Sequence, residues 1–171
     1  MNRHKMFIYI SIIVVCLSSV GRAADVTNTA NDKPPYYMTD KALDESLEIG
    51  TKIAQPAEFV QVIYFHRSPG CSTCQKMSKY VYQTVKTRFA KEIAHRQLIL
   101  RYRNFEDPQH AVLVQRLKIK SPSLAILWIK DGKPVKAKLA TRIWSLAGEK
   151  DKFFDYVQEE IGTYLHKLEA K

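Results

Sequence analysis

The sequence predicts an α/β domain: a central mixed sheet of about four strands flanked by helices, with an extra helix on its N-terminal side. Three observations predict it. Runs of β-branched and aromatic residues alternate along the chain with stretches whose apolar residues recur at helical spacing. One of these runs, residues 59–66 (FVQVIYFH), is apolar almost throughout, as a strand buried on both faces of a sheet must be. The 171 residues, 46% hydrophobic and 26% charged with six Gly and seven Pro, suffice for one domain with a real core. That composition excludes disordered, collagen-like and disulfide-dense classes.

Residues 1–23 stand outside this fold. Asn2-Arg3-His4-Lys5 form a short cationic head and Met6 to Val20 an apolar run. Gly21-Arg22-Ala23 then puts small residues at the −3 and −1 positions of a cut after Ala23, the pattern of a secretory signal peptide. The apolar run of about 15 residues is shorter than the roughly 20 that a spanning helix needs. If it were retained rather than cleaved, it would tether the chain to a membrane. Residues 24–36 (ADVTNTANDKPPY) are polar, end in Pro34-Pro35 and bury no face, which makes them a flexible linker; the folded domain is expected over 37–171.

Within that domain Thr39 or Asp40 caps an expected helix to about Ala54, with Leu43, Leu47 and Ile53 on one side and Pro56 ending it. The strand at 59–66 follows. Arg67-Ser68-Pro69-Gly70 is a turn composition, after which Met77, Val81, Val85, Phe89 and Ile93 predict a helix from Cys71 to about His95. Residues 97–105 alternate Leu98, Leu100 and Tyr102 with Ile99, Arg101 and Arg103, a strand with one wetter face. Asp107-Pro108 opens a short helix carrying Val112, Leu113 and Leu117, and Ser121-Pro122-Ser123 interrupts it. Residues 124–129 (LAILWI) form a buried strand, Asp131-Gly132 a hairpin turn, and residues 134–140 a returning edge strand marked by Pro134, Lys136 and Lys138. A last helix spans about Lys150 to Leu168, with Phe153, Phe154, Val157, Ile161, Leu165 and Leu168 inward. Strand-to-helix-to-strand connections imply parallel, right-handed pairing, and the hairpin adds an antiparallel edge.

The charge is +10, from 27 Lys and Arg against 17 Asp and Glu. Removing residues 1–23 takes away Arg3, Lys5 and Arg22 and no acid, so a charge of +7 remains on 148 residues. That balance favours acidic partners, anionic membrane surfaces or nucleic acid without choosing among them. Arg101-Tyr102-Arg103 interleaves basic and aromatic residues, but an exported chain with no recognised binding motif argues against a nucleic-acid partner. Lys130, Lys133, Lys136, Lys138 and Arg142 make the hairpin basic. Two readings apply: docking of an acidic protein or lipid head groups, or the ordinary use of lysine to keep an edge strand from pairing.

The chemistry concentrates in Cys71-Ser72-Thr73-Cys74. These are the only cysteines after the leader, which holds Cys16, and in an exported chain they can form and keep a disulfide. At the junction of a strand and a helix, unpaired N–H groups and the positive end of the helix dipole favour a thiolate on Cys71. Cys74, one turn in on the same face, can close a disulfide with Cys71 or resolve a mixed disulfide formed there. Arg67, Lys76, Lys118 and Lys120 can add positive potential. Two other readings of the motif stand beside this one, a structural disulfide and a metal site. The second has a poor complement of ligands, because the chain after the leader offers only His66, His95, His110 and His166 besides the two sulfurs. His66, five residues before Cys71, could relay a proton, join both sulfurs on a soft metal such as Cu(I) or As(III), or simply end its strand. Trp144 is expected either to line a partner groove or to pack on the last helix.

The order of elements, CxxC after the first buried strand, and Ser121-Pro122 just before the third resemble the thioredoxin fold over about residues 57–168. That resemblance implies a cis peptide at Pro122 and a Ser121-Pro122 loop that lies beside the sulfurs and shapes the partner groove. More narrowly, Tyr64-Phe65-His66 before Cys71-Ser72-Thr73-Cys74, with Ile143-Trp144-Ser145-Leu146 and Phe153-Phe154-Asp155-Tyr156-Val157, resembles the nitrophenyl compound nitroreductase subunit ArsF family. It implies a link to electron transfer or to arsenic-linked gene clusters. The chain departs from thioredoxins in having Gly70 rather than Trp before the first cysteine and Ser72-Thr73 rather than Gly-Pro between the two. Thioredoxins also carry a buried acid in the preceding strand, and an ungapped comparison places Phe65 there. The expectation is an exported thiol-disulfide oxidoreductase acting on a partner protein without a cofactor, with Cys71 as nucleophile, Cys74 as resolver, and Ser121 and Pro122 at the partner. The alternatives are a metal or metalloid binder and a non-redox adaptor. The oligomeric state has no signature in the sequence.

Overall fold

The structure, a computed structural model, describes residues 56–68 and 70–169. The expected signal peptide, linker and first helix lie outside them. A four-stranded mixed sheet is flanked by helices on both faces, with strand order β2-β1-β3-β4. The elements are β1 (Glu58–His66), α1 (Ser72–Arg88), α2 (Ala90–Ala94), β2 (Leu98–Asn104), α3 (Ala111–Leu117), β3 (Ser123–Lys130), β4 (Lys133–Leu139) and α4 (Lys150–Glu169). A short 3-10 turn at Pro108–His110 leads into α3, and the Asp107 carboxylate caps it by accepting from the Gln109 N–H. Among the described residues no helix is long and apolar enough to cross a membrane.

Alternation along each strand divides the core into two layers. Val60, Val62 and Tyr64 of β1, Leu98, Leu100 and Tyr102 of β2, and Leu124 and Ile126 of β3 face α1 and α4. There they meet Met77, Val81 and Val85 of α1 and Phe153, Val157 and Ile161 of α4. On the other face Ile63 and Phe65 of β1 pack with Ala125, Leu127 and Ile129 of β3 against Ile119 and the α3 side chains Leu113, Val114 and Leu117. β1 is thus the doubly covered central strand that its apolar run predicts. Each such side chain contributes about 1.5–3 kcal/mol when fully buried.

Two expectations are corrected. The helix predicted from Cys71 to His95 is broken at Phe89, whose backbone leaves the helical region (φ −131°, ψ 31°). The fourfold spacing that continues through Phe89 and Ile93 is kept by a separate turn, α2: Phe89 is buried in the core and Ile93 packs against it. The pairing also differs. β1 and β2 are parallel, as the first crossover implies, but β3 runs antiparallel to β1 despite the helix between β2 and β3. Seven residues of helix rise only about 10 Å, against roughly 26 Å for a strand of eight residues. α3 therefore cannot carry the chain back along the sheet. The segment stays at the end where β2 stops, skips past β1 and enters β3 from there.

The hairpin behaves as its sequence predicts. Asp131 and Gly132 both have positive φ (49° and 72°), the pair of left-handed residues that a tight turn between right-twisted strands requires. Nothing lies within 4 Å of a Cβ placed on Gly132, so the backbone alone opposes a side chain there. Gly132→Ala is expected to cost about 1–2 kcal/mol, read as a lower urea midpoint with the slope unchanged. β4 is exposed at every position but Leu139. Lys138 is tied to Glu160 of α4 at 2.6 Å and Lys130 to Glu58 at 2.9 Å.

Candidate functional site

The end of the sheet at which the short connection stays is the end that carries the cysteines. In register, His66 of β1 lies beside Asn104 of β2, and Phe65 lies beside Ser123 of β3. The Phe105 N–H donates to the His66 carbonyl at 2.9 Å, continuing the pairing one residue past the end of β2. The exit of β1, the exit of β2 and the Ser121-Pro122 entrance to β3 thus converge. Arg67 and Glu106, from the segments just beyond β1 and β2, are joined at 2.6 Å, so the Arg67 charge is largely compensated and adds little potential to the motif. Lys118 and Lys120 line a surface hollow with Phe105, Pro108 and Ile119.

Cys71 is the N-cap of α1. Its backbone is extended (φ −69°, ψ 163°), and its Sγ accepts from the Cys74 N–H at 3.1 Å. Sulfur stands here where Ser, Thr, Asp or Asn oxygen usually caps. The Gln75 N–H donates to the Cys71 carbonyl at 2.9 Å, and the Gln75 side-chain amide donates to the Gly70 carbonyl at 3.2 Å, bracing the turn. The first turn of α1 holds no acidic residue, so nothing on the helix offsets its positive end. A disulfide joins Cys71 to Cys74, with Cα atoms 5.0 Å apart. Cys71 is exposed and Cys74 is only 4% exposed. One sulfur can meet a partner and the other sits behind it.

Pro122 is buried and Ser121 exposed, and the Trp144 indole N–H donates to the Pro122 carbonyl at 2.9 Å. Trp144 is 42% exposed and braces the loop before β3. His66 ends β1 as expected. Among the described residues no three His, Cys, Asp or Glu side chains gather where they could hold a metal.

Phe65 is not the residue beneath the motif. It faces the α3 side, and Tyr64 faces α1. Fully buried, Tyr64 donates its hydroxyl hydrogen bond to the Cys74 carbonyl at 2.9 Å. Burial holds its phenol far above the ordinary tyrosine range, so it is neutral at any working pH. Where the ungapped comparison looks for a proton acceptor there is a proton donor. The available signal was a polar-tipped aromatic in an otherwise apolar run, since a buried phenol needs a partner for its hydroxyl. No family model matches the chain, and no curated protein matches it.

Proposed function

We propose that the protein is a thioredoxin-like thiol-disulfide oxidoreductase that exchanges electrons with a partner protein through Cys71 and Cys74. The observation that carries this reading is the asymmetry of the pair: an exposed sulfur at the cap of a helix with no first-turn acid, and a buried sulfur one turn behind it. The same reading takes the chain as exported, where a disulfide persists, and as akin to the ArsF family. On this reading Ser121 and Pro122, at the entrance to β3 beside the exit of β1, would border a bound partner segment.

In the reducing direction the Cys71 thiolate attacks one sulfur of a partner disulfide. The partner S–S bond breaks, a Cys71–partner S–S bond forms, and the other partner sulfur leaves as thiolate. The Cys74 thiolate then attacks the Cys71 Sγ, closing the intramolecular disulfide and releasing the second partner thiolate. Two electrons pass to the partner and both released thiolates take protons from solvent. Run backwards, the disulfide form oxidises a partner dithiol.

Cys74→Ser tests the assignment. Without the resolving sulfur, the mixed disulfide should accumulate on Cys71 and be recovered from cells as a covalent adduct that dithiothreitol releases. A wild-type protein that neither reduces insulin nor oxidises a dithiol peptide, with no adduct on the Cys74→Ser variant, would leave the disulfide as a structural staple and defeat the reading.

A further inference from the structure

Tyr64 and Tyr102 are register partners on the parallel strands β1 and β2, with ring centroids 5.7 Å apart and planes at 57°. Both are buried, and both reach the backbone of α1. Tyr64 donates to the Cys74 carbonyl at 2.9 Å and Tyr102 to the Ser78 carbonyl at 3.2 Å. Those carbonyls are one helical turn apart, so the two phenols climb the buried side of the helix that begins at the disulfide. A helical carbonyl at these positions is already the acceptor for the N–H four residues on, and the phenol takes its second lone pair. The helix does not need either bond to be satisfied.

We propose that Tyr64 is a positioning residue that sets the balance between the dithiol and the disulfide of Cys71 and Cys74. Its hydroxyl points the positive end of its dipole at the first turn of α1, where the backbone N–H of Cys74 already donates to the Cys71 sulfur. That added polarity favours an anion on Cys71, and with it the dithiol form. It acts through the Cys74 peptide and not by proton transfer, because the buried phenol does not ionise. Tyr102 makes the same kind of bond one turn further from the sulfurs, where a dipole contributes little, and so serves as an internal control. The inference rests on reading the pair as an exchanging one, although the equilibrium it concerns can be read without any protein partner.

The full chain and its Tyr64→Phe and Tyr102→Phe variants are equilibrated with reduced and oxidised glutathione, and protein thiols are counted by alkylation and mass. In this exchange protein dithiol and glutathione disulfide give protein disulfide and two glutathione thiols. Tyr64→Phe is expected to shift the constant about threefold toward the disulfide, the change that half a pKa unit of lost thiolate stabilisation gives. Tyr102→Phe should leave it within error of wild type, while both variants lower the denaturation midpoint to a similar degree. Coincident constants for Tyr64→Phe and wild type, or an equal shift in Tyr102→Phe, would overturn the proposal. Should Tyr64→Phe not fold, 3-fluorotyrosine at position 64 keeps the ring and makes the hydroxyl a stronger donor; the constant should then move toward the dithiol, and no movement would overturn the proposal equally. A wild type that equilibrates with glutathione yet neither reduces insulin nor traps a partner sinks the oxidoreductase reading and leaves this comparison intact.

Discussion

Cys71→Ser is expected to abolish thiol exchange while leaving the fold in place. A serine hydroxyl is not ionised near neutral pH and its oxygen does not form disulfides, so the attacking group is lost outright. Cys74 cannot substitute, being only 4% exposed behind position 71. Insulin reduction should fall on the order of 10²-fold or more, to the uncatalysed rate. The structural cost should be small because position 71 is an exposed N-cap whose side chain accepts from the Cys74 N–H, a task serine oxygen performs well. Unchanged circular dichroism beside lost activity is therefore the expected pair of results. Appreciable activity in the variant would show that the exposed sulfur is not the nucleophile.

Phe153→Ala is expected to produce the largest loss of stability. The ring is fully buried and lies against the sheet face that α1 and α4 share, with Tyr80 of α1 edge-on at 5.4 Å. Truncation removes the transfer free energy of the ring and leaves a cavity between two helices that the sheet cannot follow, a cost of about 3–5 kcal/mol. Against the roughly 5–15 kcal/mol by which a domain is stable, this is a large fraction. A guanidinium midpoint lowered with an unchanged slope would register it. Because α1 carries the cysteines and loses a packing partner on the face opposite its reactive end, the variant should also open the motif to faster alkylation once reduced.

Strand and helix identity was readable from periodicity because each element buries one side or both. The apolar run of β1, the alternation in β2 and the Asp131-Gly132 turn each had a single physical solution, and the structure adopts it; β4 lies at the edge of the sheet as its Pro and Lys residues predict. Direction was less readable. The length of α3 is what turns β3 around, and a pattern of apolar residues does not report whether a short helix reaches the far end of a sheet. The break at Phe89 was hidden for a related reason: a buried aromatic at the right interval keeps the pattern intact even where the backbone leaves the helix.

At the site, the two cysteines and the helix start were legible from type and spacing alone. Which side chain lies beneath them was not. Strand residues alternate sides, so one residue more or less between the strand and the motif exchanges Phe65 for Tyr64, and the register is decided by packing against α1. Trp144 was illegible because its bond to the Pro122 carbonyl joins residues 22 apart through a loop with no periodicity of its own.

The capping role of the Cys71 sulfur has one more consequence. The atom that would exchange with a partner is the same atom that starts the helix, and its strength as an acceptor follows its electronic state: greatest as an anion, weak as a disulfide sulfur. Reduction is therefore expected to tighten the opening coil of the peptide and oxidation to slacken it, while Tyr64 and Tyr102 hold the Cys74 and Ser78 carbonyls on the buried side. On the proposed reading, that joint is also the place where electrons would enter and leave.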